Sequence, residues 1–164
     1  MKTFLSLFAL LLLVIGCQPK VEKEYITEPC PEEEKISIAI LKNELTEKGF
    51  QTFNYVDDKT GDTILMQQYF IAFLKKGANR SQSKEEADSL QSLHLAHLGR
   101  MYEEGFADIS GPFGDDGDIR GITIYNVPTR NIADSLANMD PMVKSGRLQI
   151  EIHPWWAAKG FPLR

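Results

Sequence analysis

The sequence lacks several features that would assign it quickly to a class of protein. Its 164 residues include two cysteines, Cys17 and Cys30, which excludes a framework of several disulfides. Lys and Arg number 18 against 23 Asp and Glu, and the net charge of −5 leaves no basic stripe to neutralise nucleic-acid phosphates. After residue 16 there is no further long apolar run, so no membrane-spanning helix is predicted in the rest of the chain.

The first 16 residues have the pattern of a secretory signal. Lys2 supplies a positive charge, and residues 4–15 form an apolar run shorter than the roughly 20 residues that a spanning helix needs. The run ends in Gly16-Cys17, which resembles the bacterial lipobox, where a small residue precedes the cysteine that receives the lipid. We therefore predict a signal peptide over residues 1–16 and a lipid, such as palmitate, on Cys17. The alternative is a plain secretion signal with an incidental cysteine.

Composition divides the mature chain into four segments. Residues 17–34 are polar, charged and punctuated by proline, which predicts a flexible tether with Cys30 as an exposed thiol. Residues 35–65 predict a helix and hairpin that form an N-terminal extension. Residues 66–157 form the predicted main domain, and residues 158–164 form a C-terminal tail. A lipid on Cys17 would hold this domain in the cell envelope, on the periplasmic or outer-membrane side of a bacterial membrane.

The main domain alternates between strand and helix patterns. A continuous apolar run, a Ser-capped helix that ends before Gly105, and a cleanly alternating segment near the C-terminus each indicate one element. In chain order the pattern predicts β-α-β-β-α-β, the ferredoxin-like α+β plan. The predicted strands are residues 69–74, 107–110, 121–127 and 147–153, and the predicted helices are residues 83–104 and 129–139, with a helical turn after Asp140.

The predicted sheet has one face that its two helices do not cover. Tyr69, Ile71 and Phe73 alternate with Phe70, Ala72 and Leu74, so the first strand is apolar on both sides. An uncovered apolar face needs a partner. A second copy of the domain would give a two-fold homodimer with the sheets face to face. The alternative is that the N-terminal extension covers this face.

Three histidines, His94, His97 and His153, are the first candidates for chemistry. His94 falls near the centre of the apolar arc of the long helix, and a titratable ring there is costly without a partner. A core histidine satisfied by a backbone carbonyl is an equally good explanation on periodicity alone. His97 is predicted at the edge of the helix face and His153 at the polar-face end of the last strand.

Metal binding has little support in the sequence. His94 and His97 are three residues apart on a helix, yet no HExxH pattern and no evident third ligand accompanies them. The acidic loop of residues 115–118 lacks the spaced oxygens and terminal Glu of an EF-hand, and a solvated turn explains it better. No metal or other cofactor is therefore predicted.

Asp140 precedes Pro141, and this pair has two explanations. Asp at an N-cap and Pro at the first helical position together predict the start of a short helix. The carboxylate could also orient a histidine and stabilise its imidazolium during proton transfer. Both can hold, because a cap uses one carboxylate oxygen.

An ordered series of short motifs resembles the YciI-like (YCII-related) domain over about residues 66–157. The resemblance implies a ferredoxin-like subunit in a dimeric α+β barrel, with a histidine–aspartate pair in a pocket as an acid–base site. The family's histidine falls on His94 rather than His97, and its aspartate on Asp140. The motifs are His94-Leu95-Ala96-His97-Leu98, Glu103-Glu104-Gly105-Phe106, Ser110-Gly111-Pro112-Phe113, Gly121-Ile122-Thr123-Ile124, Asp140 through Gly146, and His153-Pro154-Trp155-Trp156.

Two functional hypotheses follow. The first is a small-molecule enzyme of proton transfer, isomerisation or elimination, with His94 as general base and acid and Asp140 holding its tautomer. Ser110, Gly111, Arg120 and Trp155 would help to line the pocket for the unknown small molecule. The second is a non-catalytic module of the cell envelope that binds a small ligand without turnover.

Overall fold

The structure is a computed structural model that describes residues 37–161 and residue 163. These residues fall within one unit, Lys35–Arg164. The predicted signal peptide, the lipidation site at Cys17 and the tether with Cys30 lie outside the described residues. Within the described part of the chain, no helix is long and apolar enough to cross a bilayer.

Nine elements follow one another in the described residues, and the prediction of an α+β fold is confirmed. From the second strand onward the order is β-α-β-β-α-β, with a short extra helix before the last strand. The elements are α1 (Ile38–Glu47), β1 (Thr52–Val56), β2 (Thr63–Lys76), α2 (Lys84–Glu103), β3 (Ala107–Pro112), β4 (Ile119–Tyr125), α3 (Arg130–Asn138), α4 (Pro141–Lys144) and β5 (Leu148–Ala158).

All strand pairs in the sheet are antiparallel. The main-domain strands lie in the order β5-β2-β4-β3, which is the ferredoxin-like arrangement. Strand β5 pairs with β2 from Met66 to Lys76. On the other edge of β2, β1 pairs with the first part of the strand and β4 with the second part. The predicted extension therefore lengthens the sheet through β1.

Strands β2 and β5 are longer than the sequence pattern predicts. Strand β2 begins at Thr63 rather than Tyr69, so the predicted boundary between residues 65 and 66 falls inside a strand. The polar pair Gln67-Gln68 interrupts the apolar pattern and hides this continuation. Gln67 is nevertheless fully buried, and its Nε2 donates to Asn126 Oδ1 at 2.6 Å. The added length of β2 gives β5 a partner as far as Ala158.

The core lies between one face of the sheet and helices α2 and α3. Phe70 and Ala72 of β2 pack there with Met101 of α2 and with Ala133 and Ala137 of α3. Small alanines let α3 approach the sheet closely, and removing these apolar side chains from water is the main stabilising contribution. The opposite face of the sheet carries neither α2 nor α3, and we call it the helix-free face to mark the absence of these two core helices.

The N-terminal extension and the C-terminal end of the chain each cover part of the helix-free face. Lys42 Nζ of α1 donates to Asn54 Oδ1 at 2.7 Å, and Asn54 lies on this face beside the buried Leu65.

Residues at the C-terminal end enclose a cavity of about 650 Å³ with Tyr69 and Ile124, and Lys159 Nζ donates to Tyr69 Oη at 3.3 Å. Tyr69 is buried, and this burial raises its pKa to about 12. Further along the same face, Ile71 and Phe73 remain half-buried. An apolar strip of the sheet is thus still open to a partner.

Candidate functional site

His94 and Asp140 form a buried pair between α2 and α4. His94 Nδ1 lies 2.5 Å from Asp140 Oδ2, and the residues are 7% and 3% exposed. The second carboxylate oxygen, Oδ1, accepts the backbone N–H of Met142 at 2.8 Å. Asp140 therefore caps α4 with one oxygen and holds the His94 ring with the other, so that the two explanations of this residue coexist.

Local sequence and apolar packing together create this pair. Ser83 starts α2 with a capping box that includes Glu86, and Asp140-Pro141 starts α4. Leu90, one turn before His94, packs against a cluster of Leu74, Met142 and Leu148. This contact brings the middle of α2 against the beginning of α4. The carboxylate at the N-cap then meets the imidazole without further adjustment.

The remaining ring nitrogen of His94 faces a cavity of about 380 Å³. Nε2 has no hydrogen-bond partner among the described residues, and it is not sealed from solvent. The cavity volume falls within the range of small-ligand sites. His94 therefore presents one ring nitrogen to a ligand while Asp140 holds the other.

The structure brings three of the four predicted pocket residues to this cavity. Ser110, Gly111 and Arg120 line it, and Ser110 Oγ lies 3.0 Å from Thr123 Oγ1. Trp155 does not reach it. In the β5 register Trp155 lies opposite Tyr69, so its side chain projects from the helix-free face and lines the C-terminal cavity. The sequence already indicated the face on which Trp155 lies. Side chains alternate between the two faces of a strand, and Trp155 alternates with the apolar residues Leu148, Ile150 and Ile152.

Several cavity residues were not predicted from the sequence. Arg80 lies in the loop after β2, Gln91 lies on α2, and Arg147 precedes β5. None belongs to a recognisable motif, and Arg80 and Arg147 are far apart in the chain. Only the packing of the β2–α2 loop against the start of β5 brings them to one wall.

His97 is buried, which contradicts its predicted position at the helix edge. It is 3% exposed, less than His94. The buried stripe of α2 runs through His94, His97 and Met101, whereas Leu93 is 51% exposed. Arg100 Nη2 lies 3.1 Å from His97 Nδ1, and Nε2 is buried without a hydrogen-bond partner of normal geometry among the described residues. Burial lowers the pKa of His97 and favours the neutral ring.

His153 lies on the helix-free face, away from the His94 cavity. Its side chain is half exposed, and Nε2 lies 2.7 Å from Glu151 Oε1. Hydrogen bonds from His153 and Lys75 lower the pKa of Glu151. The predicted position at the polar end of the last strand agrees with this placement, and His153 takes no part in the cavity.

Metal ligands do not converge in the described part of the chain. No three His, Cys, Asp or Glu side chains there lie together in a way that could hold a metal ion. In the acidic loop, Asp116 instead accepts a hydrogen bond from Arg120 Nη1 at 2.7 Å. That bond lowers the pKa of the Asp116 carboxyl below its ordinary value.

Comparison with known proteins yields no family for this chain. No protein-family model matches it, and no curated protein matches it. One similar solved structure is that of 5-chloro-2-hydroxyhydroquinone dehydrochlorinase from Burkholderia phenoliruptrix AC1100, in complex with 2,5-dihydroxybenzoquinone. The two chains are 22% identical, the match covers 53% of this chain and 92% of the other, and the TM-score is 0.40. The fold class of this chain therefore rests on its own strand order.

Proposed function

We propose that this chain is a YciI-like enzyme that moves a proton on a small molecule, anchored to the bacterial cell envelope by a lipid on Cys17. The observation that carries the proposal is the buried hydrogen bond between His94 Nδ1 and Asp140 Oδ2, at the wall of a cavity of ligand size. A carboxylate bound to one nitrogen of an imidazole fixes its tautomer, and the other nitrogen is then free to accept a proton.

In the proposed reaction, His94 Nε2 removes a proton from a carbon or oxygen of the bound molecule. The imidazolium that forms is stabilised by Asp140, which keeps its negative charge and its hydrogen bond to Nδ1–H. His94 then returns the proton to another atom, which completes an isomerisation, or to a leaving group, which completes an elimination. Leu95, Leu98 and Met142 line the same cavity and give it an apolar surface for the body of the bound molecule.

Proton exchange tests the proposal without knowledge of the substrate. The full-length protein, in a neutral detergent, is incubated in D2O with a panel of small carbonyl compounds and quinones, and loss of carbon-bound protons is followed by NMR. We expect faster exchange in at least one compound, and a fall of about 100-fold or more in the His94→Gln and Asp140→Asn variants. Asp134→Asn is the matched control, because Asp134 is exposed on α3 and lies outside both the cavity and the open strip of the sheet.

The outcomes separate an enzyme from a binding module. If no compound exchanges and a compound that raises the melting temperature of the wild type raises that of both variants equally, the chain binds ligands without turnover. If exchange occurs but survives His94→Gln, the base is another group and the proposed roles are wrong.

We also propose that the domain acts as a homodimer with the helix-free faces together. The support is the open strip around Ile71 and Phe73, which a single chain leaves half-buried. The C-terminal residues occupy one end of this face, so the second copy would contact the other end. A dimer would carry two lipid anchors, which bind a membrane more firmly than one.

A further inference from the structure

The ionisable groups that line the His94 cavity are unusually uniform in sign. Apart from His94, the charged lining residues are all arginines, namely Arg80, Arg120 and Arg147. No Asp or Glu is among the described residues that line it. Asp140 lies behind the imidazole and is committed to His94 and to the N–H of Met142. The cavity therefore presents positive charge without a matching anion at its surface.

Two of these arginines have guanidinium N–H groups without an acceptor among the described residues. Arg80 forms no side-chain hydrogen bond or ion pair with any residue that the structure describes. Arg147 Nη1 donates to Gln82 Oε1 at 3.2 Å, which orients the guanidinium without neutralising it. Arg120 is different, because Asp116 binds it at 2.7 Å, although the Asp116 side chain is 93% exposed. The unbalanced charge thus belongs mainly to Arg80 and Arg147.

Backbone contacts hold Arg80 and Arg147 on one wall of the cavity. Gly77 N–H donates to Arg147 O at 3.0 Å, and Asn79 N–H donates to Gly146 O at 3.1 Å. Asn79 Nδ2 also donates to Ser145 O at 2.9 Å. The loop that carries Arg80 is therefore tied to the segment that carries Arg147, and no ligand is needed to bring the two together.

The rest of the lining includes a group of apolar side chains, which we call the apolar lining. It consists of Leu74, Leu95, Leu98, Met142 and Leu148. A ligand that matches both the arginines and the apolar lining carries an oxyanion on an apolar body. Guanidinium groups hydrogen-bond a carboxylate or a comparable oxyanion in a bidentate manner and keep their charge at any physiological pH.

We propose that the cavity selects small organic anions, with the oxyanion bound by Arg80 and Arg147 and the apolar body placed against the apolar lining near His94. This inference rests on the proposed function, since it names the substrate class of the same site. Binding of the anion by two guanidinium groups, one of which Gln82 already orients, would present the rest of the molecule to Nε2 of His94 in one preferred orientation.

Matched acid and amide pairs test the selection by charge. The probes are benzoate with benzamide and 4-hydroxybenzoate with 4-hydroxybenzamide, titrated into the full-length protein in neutral detergent at fixed chloride. Binding is followed by the methyl NMR signal of Met142, which lines the cavity. We expect at least one acid to bind about tenfold or more tightly than its amide, the difference that one charge-assisted hydrogen bond supplies.

Variants assign the preference to the arginines. Arg147→Gln and Arg80→Gln should each reduce the acid-to-amide ratio, while Arg130→Gln on the exposed start of α3 should leave it unchanged. The proposal is overturned if the amides bind as tightly as the acids, or if the acid-to-amide ratio is unchanged in both cavity variants. It is also overturned if neither acid shifts the Met142 signal at 20 mM, a concentration about a hundredfold above the dissociation constant of a typical site.

The same titration in His94→Gln separates this proposal from the proposed function. Acid binding that persists in His94→Gln, without proton exchange in the wild type, supports the anion site and contradicts the enzyme. Proton exchange that depends on His94 but occurs equally in neutral probes supports the enzyme and contradicts the anion site.

Discussion

His94 and His97 lie three residues apart on one helix, and their imidazole rings have different environments. His94 has a carboxylate on one nitrogen and a cavity on the other, whereas His97 is enclosed, with Arg100 beside one nitrogen and no partner of normal geometry on the other. The first arrangement suits a group that gains and loses a proton. The second disfavours protonation, because a buried imidazolium beside a guanidinium loses hydration and is repelled.

The lowered pKa of His97 makes folding stability depend on pH. Unfolding returns this ring to a pKa of about 6.5, so around and below that pH the unfolded chain binds a proton that the folded chain does not. The free energy of unfolding should therefore fall as pH decreases from 7.5 to 5.5. In His97→Gln this fall should be smaller, as measured by urea denaturation across the series. Between pH 7.5 and 9 the free energy of unfolding should change with pH equally in the wild type and in His97→Gln. If it also changes equally in the two proteins below pH 7, His97 is not the group that makes stability depend on pH.

At the scale of elements, the close contact between the end of β2 and the start of β5 shapes the cavity wall. Gly77 lies where a Cβ atom would come within 2.1 Å of the carbonyl oxygen of Gly146. The absence of a side chain is what lets the loop that carries Arg80 approach the segment that carries Arg147.

Gly77→Ala should destabilise the fold by about 3 kcal/mol, because the backbone of one segment must move away from the other. The matched control is Gly99→Ala in α2, where a Cβ meets nothing within 4 Å. That change should stabilise the protein by about 0.5–1 kcal/mol, since alanine favours the helix. Thermal unfolding of both variants checks the contrast, and a Gly77→Ala protein as stable as the wild type would exclude the close contact.

At the scale of the whole molecule, the proposed homodimer depends on the helix-free face. Phe73→Glu introduces a charge into the open strip and should convert the dimer to a monomer. The reason is that burying an unpaired carboxylate costs more free energy than the contacts of the interface supply. Phe53→Glu on the opposite face of the sheet is the control and should leave the dimer intact. Sedimentation velocity in neutral detergent distinguishes the two, and a monomeric wild type would end the dimer proposal.

The anchor is a second prediction for the whole molecule. In a bacterial host, labelled palmitate should be incorporated into the wild-type chain and into Cys30→Ser, but not into Cys17→Ser. The membrane fraction should likewise retain the first two proteins and release the third. Palmitate on Cys17→Ser, or none on the wild type, would refute lipidation at this position.

Local signals in the sequence were sufficient for the order of the main-domain elements. Ser83 with Glu86, Thr129, and Asp140 with Pro141 start helices where such residues satisfy free backbone N–H groups. The ends of the strands were less predictable. The buried Gln67 is polar, and its Nε2 finds a hydrogen-bond partner in Asn126, the residue after β4, whereas Oε1 has none among the described residues. Pattern alone does not distinguish such a residue from one in a loop.

The sequence by itself determined the α+β order and pointed to His94 and Asp140, because capping and resemblance to a family are local properties. The face of β5 on which Trp155 lies was also present in the alternation of the sequence. The burial of His97 depended on which stripe of α2 met the sheet. The approach of Arg80 to Arg147 depended on a backbone contact between distant segments. Only the tertiary structure decided those two features, because packing selects one helix face and one loop position from several that the local sequence permits equally.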